Sequence, residues 1–128
     1  MGNKILIVDD EIHIRSLLEQ SLEELEEDHD VELYTAKNGQ EGLDCIKSLH
    51  PGLVLLDVMM PIMNGYDVCQ AVRENSDFDD VKIILLTAKG QEADRERGIA
   101  LGATQYMTKP FDPDELLKIA KEMLGLTE

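Results

Sequence analysis

Short apolar runs alternate with amphipathic stretches along this chain. Ile5-Leu6-Ile7-Val8, Val31-Glu32-Leu33-Tyr34-Thr35, Leu53-Val54-Leu55-Leu56 and Ile83-Ile84-Leu85-Leu86 have the length of strands. All but the second are apolar throughout, which marks strands covered on both faces, because a half-exposed strand alternates apolar with polar positions. A weaker fifth run, Thr104 to Thr108, reads as an edge strand. Between the runs, Ile14, Leu17, Leu18, Leu22 and Leu25 recur at three- and four-residue steps, as do Leu116, Leu117, Ala120, Met123 and Leu124, so each set forms one helical stripe. The last helix carries its own punctuation: Asp112 as cap, Pro113 in the first turn, Asp114 and Glu115 at the positive helix end, and Gly125 after it. Shorter helices are predicted over Gly39–Ser48, Gly65–Glu74 and Gln91–Leu101.

Five strands each followed by a helix, with no linker or low-complexity segment, describe one α/β domain over residues 1–128. Right-handed crossovers leave few topologies for such a chain, and a doubly wound flavodoxin-like (βα)5 parallel sheet of order 2-1-3-4-5 is the one expected.

Charge narrows the function. With 12 Lys and Arg against 27 Asp and Glu, the formal net charge is −15, and the clustered cations that neutralise nucleic-acid phosphates are missing. Direct DNA binding by this domain is therefore not expected. No apolar run approaches the roughly 20 residues of a membrane helix, and the start of the chain lacks a myristoylation signal, so the expected location is the cytoplasm, away from membranes. Cys45 and Cys69 sit in helical apolar patterns and read as small core residues.

The chemistry lies at the downstream ends of the runs: Asp9 and Asp10 after the first, Asp57 after the third, Thr87 after the fourth and Lys109 after the fifth. In open parallel sheets, ligands bind outside these ends where strand order reverses, here beside the first and third strands. Three carboxylates gathered there repel one another unless protons or a hard cation join them. Mg²⁺ is the expected ion, since it prefers oxygen ligands and commonly links one or two carboxylates to a phosphoryl group. His13, His29 and His50 show no pairing that suggests zinc or iron. A lysine and a threonine at the same crevice supply a cation and a hydroxyl donor for phosphoryl oxygens. A carboxylate is the expected nucleophile, because no Ser or Cys is paired with a histidine base. Each residue also has a plain structural use: Asp9 or Asp10 as a helix cap, Asp57 with Asn64-Gly65 as a loop, Lys109 as a solvated surface lysine, Thr87 as a strand-end hydroxyl. Their coincidence at one edge is what favours the functional reading.

The segments Ile7-Val8-Asp9-Asp10-Glu11, Leu55-Leu56-Asp57-Val58-Met59-Met60-Pro61, Asn64-Gly65, Leu86-Thr87-Ala88 and Thr108-Lys109-Pro110-Phe111 resemble the signature blocks of response-regulator receiver domains of two-component signalling, over nearly the whole chain. Such domains share the strand order given above, so topology and resemblance are one expectation rather than two. The resemblance implies that Asp57 takes a phosphoryl group from the phosphohistidine of a histidine kinase or histidine phosphotransfer protein. It implies Mg²⁺ bound by Asp10, Asp57 and the Met59 backbone carbonyl, with Asp9 acting mainly through water. Lys109, Thr87, Ala88 and Met59 would border the phosphoryl group, with small Ala88 leaving it room. Thr87 and Tyr106 resemble the switch hydroxyl and aromatic, Lys109-Pro110 the cis peptide, and the output would be a change in the face of the fourth helix, fifth strand and fifth helix that controls a downstream effector. The plainer alternative for Tyr106, a half-buried edge-strand aromatic with its hydroxyl in water, is the less favoured of the two.

Gly52 departs from the family pattern, standing where many receivers have an acidic residue; a change of local loop shape is expected there. Met59 and Lys89 occupy places thought to gate water, which leaves the rate of any slow autodephosphorylation open. Two other classes compete. A haloacid-dehalogenase-like phosphatase would also use Asp57 as nucleophile but needs an acid/base Asp two residues on, where Met59 stands. A non-catalytic flavodoxin-like interaction module would bind no metal.

Overall fold

Parallel pairing unites all the expected runs. A computed structural model describes residues 3–88 and 95–126. Its strands are β1 (Lys4–Val8), β2 (Glu32–Ala36), β3 (Leu53–Asp57), β4 (Lys82–Ala88) and β5 (Gln105–Lys109), in the order β2-β1-β3-β4-β5, as the alternation predicted. The helices are α1 (Ile12–Ser21), α2 (Glu23–Asp28), α3 (Gly39–Leu49), α4 (Gly65–Arg73), α5 (Arg95–Ala100) and α6 (Pro113–Met123), with a 3₁₀ turn at Ser76–Phe78. The expected single first helix is thus two segments, so the fourth and fifth predicted helices are α5 and α6. The chain leaves α-helical geometry at Leu22 (φ −107°, ψ 7°), yet Leu18, Leu22 and Leu25 remain buried on one side. The predicted start of the helix at Gln91 lies outside the described residues, as does Lys89.

The sheet separates two cores. On one side Ile5 and Ile7 of β1, Leu53 and Leu55 of β3, and Ile84 and Leu86 of β4 pack against Leu18 and Leu22 of the first helical layer and Leu116 and Ala120 of α6. On the other, Leu6, Val8, Val54, Leu56, Ile83 and Leu85 meet Leu43 and Ile46 of α3 and Val68, Cys69 and Val72 of α4. Alternation of side chains along each strand sends neighbours to opposite layers, which is why the central runs are apolar at every position. Each such side chain contributes on the order of 1.5–3 kcal/mol of burial. Cys69 is buried and Cys45 partly so, both unpaired, in keeping with core packing.

Local signals set the boundaries near the strand ends. Asn64 caps α4 by accepting from the Asp67 N–H at 3.0 Å while the Asp67 carboxylate accepts from the Asn64 N–H at 3.3 Å, a reciprocal capping box. Asp112 caps α6 through the Asp114 N–H at 2.9 Å, with Pro113 behind it, as its sequence predicts. At Gly52 the space a side chain would take is filled by Leu124 Cδ2, 2.8 Å from an ideal Cβ, so the departure from the family pattern accommodates the end of α6.

Gly65 is required more strictly. A Cβ there would lie 2.5 Å from the Asp57 carbonyl oxygen and 2.9 Å from Val58 Cα, both backbone atoms that cannot yield. Gly65 N–H in turn donates to the Val58 carbonyl at 3.0 Å, closing the loop after β3. Gly65→Ala is expected to lower unfolding free energy by about 3 kcal/mol in urea denaturation, because the strand end itself must shift. A loss below about 1 kcal/mol would show that the α4 start moves freely relative to Asp57.

Candidate phosphoryl and metal site at the strand ends

The sheet register brings the predicted residues to one edge. Asp57 is the last residue of β3 and pairs with Leu86, while the next steps align Thr87 with Thr108 and Ala88 with Lys109. Asp9 follows β1, which lies beside β3. Asp9, Asp10 and Asp57 each offer a carboxylate oxygen, all within 4.8 Å of one another; Asp9 and Asp57 are buried and Asp10 is exposed. They line a cleft of about 270 Å³ together with Glu11, Met59, Ala88 and Lys109.

Lys109 bridges the buried pair. Its Nζ donates to Asp9 Oδ2 at 2.9 Å and to Asp57 Oδ1 at 3.2 Å. Burial works against its charge, but the hydrogen bond to Asp9 and the negative charges of Asp57 and Asp9 hold its pKa above the ordinary lysine value. A single ammonium does not settle the negative charge. Burial first, and then the Asp9 charge, push Asp57 from 3.8 up to about 6, against the opposing pull of Lys109 and the Met59 backbone N–H. The acidic set therefore fits a small divalent cation by its own chemistry: oxygen donors only, an excess of negative charge, one open exposed side at Asp10, and a nearby backbone at Met59. Magnesium would sit among Asp9, Asp10, Asp57 and the Met59 carbonyl.

The remaining predicted residues divide. Ala88 lines the cleft, and Met59 is exposed at its rim. Thr87 is fully buried at the tip of β4, adjoining the cleft through Ala88 rather than lining it. Tyr106 is half-buried, packs against the core on the α3/α4 side and borders a separate hollow of about 380 Å³ with Thr108, Pro110 and Phe111. The Lys109-Pro110 peptide is cis. Met60 and Met63 pack against the core, whereas Ile62 is exposed with φ +74°. Two residues at the site had no assigned role in the sequence reading: Glu11, which lines the cleft, and Arg15, whose Nη1 donates to the Asp9 carbonyl at 2.7 Å. Glu11 adjoins the acid pair and was visible as a third carboxylate; Arg15, six residues from Asp9, gave no signal.

Among the described residues, no helix is long and apolar enough to cross a membrane. A family model described as "Response regulator receiver domain" matches residues 5–121. A probable transcriptional regulator, ycf27, of Cyanophora paradoxa is 48% identical over 125 residues, covering 98% of this chain and 49% of that protein. The alkaline phosphatase synthesis transcriptional regulatory protein PhoP of Bacillus subtilis is 41% identical over 128 residues, covering all of this chain and 51% of its own length. The chain thus spans about half the length of these curated relatives. In three dimensions it matches the crystal structure of a putative response regulator from Chloroflexus aurantiacus with a TM-score of 0.87 and 32% identity, covering 98% of this chain and 99% of that one.

Proposed function

The chain belongs to the response-regulator receiver family of two-component signalling, and from that premise we propose that Asp57 is its phosphoryl acceptor. The observation that carries this reading is the buried Asp57 carboxylate facing Asp9, Asp10 and the Lys109 ammonium in one open cleft. A phosphatase of the haloacid-dehalogenase kind is not favoured, since Met59 stands where its second acid would be and the family match lies elsewhere.

In the proposed step, an Asp57 carboxylate oxygen attacks phosphorus of a partner's phosphohistidine. The new oxygen–phosphorus bond forms as the nitrogen–phosphorus bond breaks, and the imidazole leaves with that electron pair and takes up a proton. Bound Mg²⁺ would offset the negative charge of the carboxylates and the phosphoryl oxygens. Asp10, Asp57 and the Met59 carbonyl would hold it, with Asp9 acting through water. Lys109 Nζ, already hydrogen-bonded to Asp57, would turn to a phosphoryl oxygen; Ala88 at the rim leaves room for the group. Thr87 would supply a hydroxyl donor, and its displacement toward the cleft would let Tyr106 turn into the space behind it.

Response regulators work with histidine kinases and effectors. For this chain, a histidine kinase or phosphotransfer protein is the proposed donor, and the α5-β5-α6 face the proposed output, since Thr87 and Tyr106 border it. We assign the domain to residues 1–128, its place to the cytoplasm, and no nucleic-acid contact to it, the last in line with its net charge of −15. The rate at which its own acyl phosphate hydrolyses stays open, and of the two gating positions only Met59 lies within the described residues.

Acetyl phosphate tests the assignment directly. With Mg²⁺ the intact protein should gain one phosphoryl mass; with Asp57→Asn, or with Mg²⁺ chelated, it should gain none. A gain that persists in Asp57→Asn would remove Asp57 from the role, and rapid turnover of a small phosphate ester would point back to a phosphatase.

A further inference from the structure

The segment that presents Asp9 and Asp10 is held at four atoms of Asp9. Its N–H donates to the Ala36 carbonyl at 3.1 Å, its Oδ1 accepts from the Glu11 N–H at 2.9 Å, and its Oδ2 accepts from Lys109 Nζ at 2.9 Å. The fourth tie is the short hydrogen bond from Arg15 Nη1 to the Asp9 carbonyl, 2.7 Å. That carbonyl belongs to the peptide joining Asp9 to Asp10. Rotation about the Asp9 Cα–C bond would carry this carbonyl, the Asp10 Cα and the Asp10 carboxylate away from their present places, and the Arg15 contact resists it.

Nothing about α1 alone explains the arrangement. Arg15 lies in the first turn of the helix, where the helix field disfavours a cation, and its half-buried side chain reaches back past the helix start. Glu11, at the cap position, makes no side-chain capping bond, so the entry to α1 relies on Asp9 Oδ1 and on Arg15 for its shape. A guanidinium so near the acidic cleft would by its charge alone repel a divalent cation.

We propose that Arg15 is a positioning residue for the divalent-cation site: by fixing the Asp9–Asp10 peptide it aims the exposed Asp10 carboxylate at the cleft occupied by Asp57. This inference rests on the reading of the acidic set as a Mg²⁺ site. Charge and positioning then predict opposite signs. If Arg15 acts only as a positive charge, removing it tightens Mg²⁺ binding; if it positions Asp10, removing it weakens binding, as loss of a group that orients a metal ligand commonly does by roughly tenfold or more.

The test is titration of the metal-free full chain with MgCl₂ by calorimetry, for wild type, Arg15→Met and Arg15→Lys. Arg15→Met should raise the Mg²⁺ dissociation constant roughly tenfold, and Arg15→Lys, which retains a donor of similar reach, should recover most of the affinity. Amide hydrogen exchange without metal should quicken at Asp10 and Glu11 in Arg15→Met while β1 and β3 stay protected. Should Arg15→Met not fold, Arg15→Leu, which likewise has no donor and no charge, gives the same test of sign. Unchanged or tighter binding in the uncharged variant overturns the proposal and leaves the Mg²⁺ reading standing. Failure of the wild type to bind Mg²⁺ overturns both.

Discussion

Stripped of metal, the protein should lose about 2 kcal/mol of the stability linked to Asp57 as the pH rises from about 4 to about 6, and Asp57→Asn should abolish that contribution. The folded-state pKa of Asp57, about 6, lies above the ordinary carboxylate value of 3.8. Over that interval the native protein holds a proton that the unfolded chain has released. The stabilisation linked to this proton is complete below about pH 4 and is lost as the pH climbs through about 6. The cause is burial of Asp57 beside Asp9, only partly answered by Lys109. At neutral pH, Asp57→Asn should therefore melt higher than wild type in the presence of a chelator. Mg²⁺ should reverse the order, since binding to the native state alone adds about 2.7 kcal/mol at one hundred times its dissociation constant. Chemical denaturation across the pH range, with and without Mg²⁺, checks both. Parallel curves for wild type and Asp57→Asn would show that the carboxylate is not frustrated at all.

Arg73→Ala should be strongly damaging although it lies away from the cleft, with an expected loss of about 3 to 5 kcal/mol of unfolding free energy. Arg73 ends α4, and its guanidinium donates to three backbone carbonyls: Nε to Gly102 at 2.8 Å, Nη1 to Phe78 at 3.0 Å and Nη2 to Val81 at 2.7 Å. These belong to the loop before β5, the 3₁₀ turn and the entry to β4. The stem of Arg73 also fills the space beside Gly102, whose φ of +104° suits glycine. Truncation would leave partly buried carbonyls without donors and loosen two chain segments at once. Arg73→Lys, with one compact ammonium in place of a planar fork, should recover less than half of the loss. Urea denaturation measures it, and a loss of less than about 1 kcal/mol in Arg73→Ala would mean that water replaces the guanidinium without penalty.

Most of the fold was legible because period and burial coincide. Fully apolar runs of strand length suit covered strands, and the order of strands and helices then left a few topologies, of which the family's order was the one expected. Strand ends were less legible. Thr87, Ala88 and Lys109, read as lying past their runs, are within β4 and β5, because backbone pairing does not stop where apolar side chains do. The break at Leu22 was hidden for a related reason: Leu18, Leu22 and Leu25 keep the same buried side whether or not the helix is continuous. At the site, Asp9, Asp10, Asp57 and Lys109 could be gathered by position, since each terminates a run. Arg15 could not, because its contact is with a main-chain carbonyl, and such an acceptor is present at every residue alike.

The two-sided sheet has a consequence for how a signal travels. Asp57 follows Leu53 and Leu55 in strand alternation and Lys109 follows Met107, placing both on the α1/α6 side, whereas Thr87 follows Ile83 and Leu85, and Tyr106 belongs with them on the α3/α4 side. Between these layers stands a wall of main chain and close-packed aliphatic groups that bends little. On the proposed reading, news of a phosphorylated Asp57 would go around the rim of that wall, where β3, β4 and β5 terminate, and Thr87 stands at that corner.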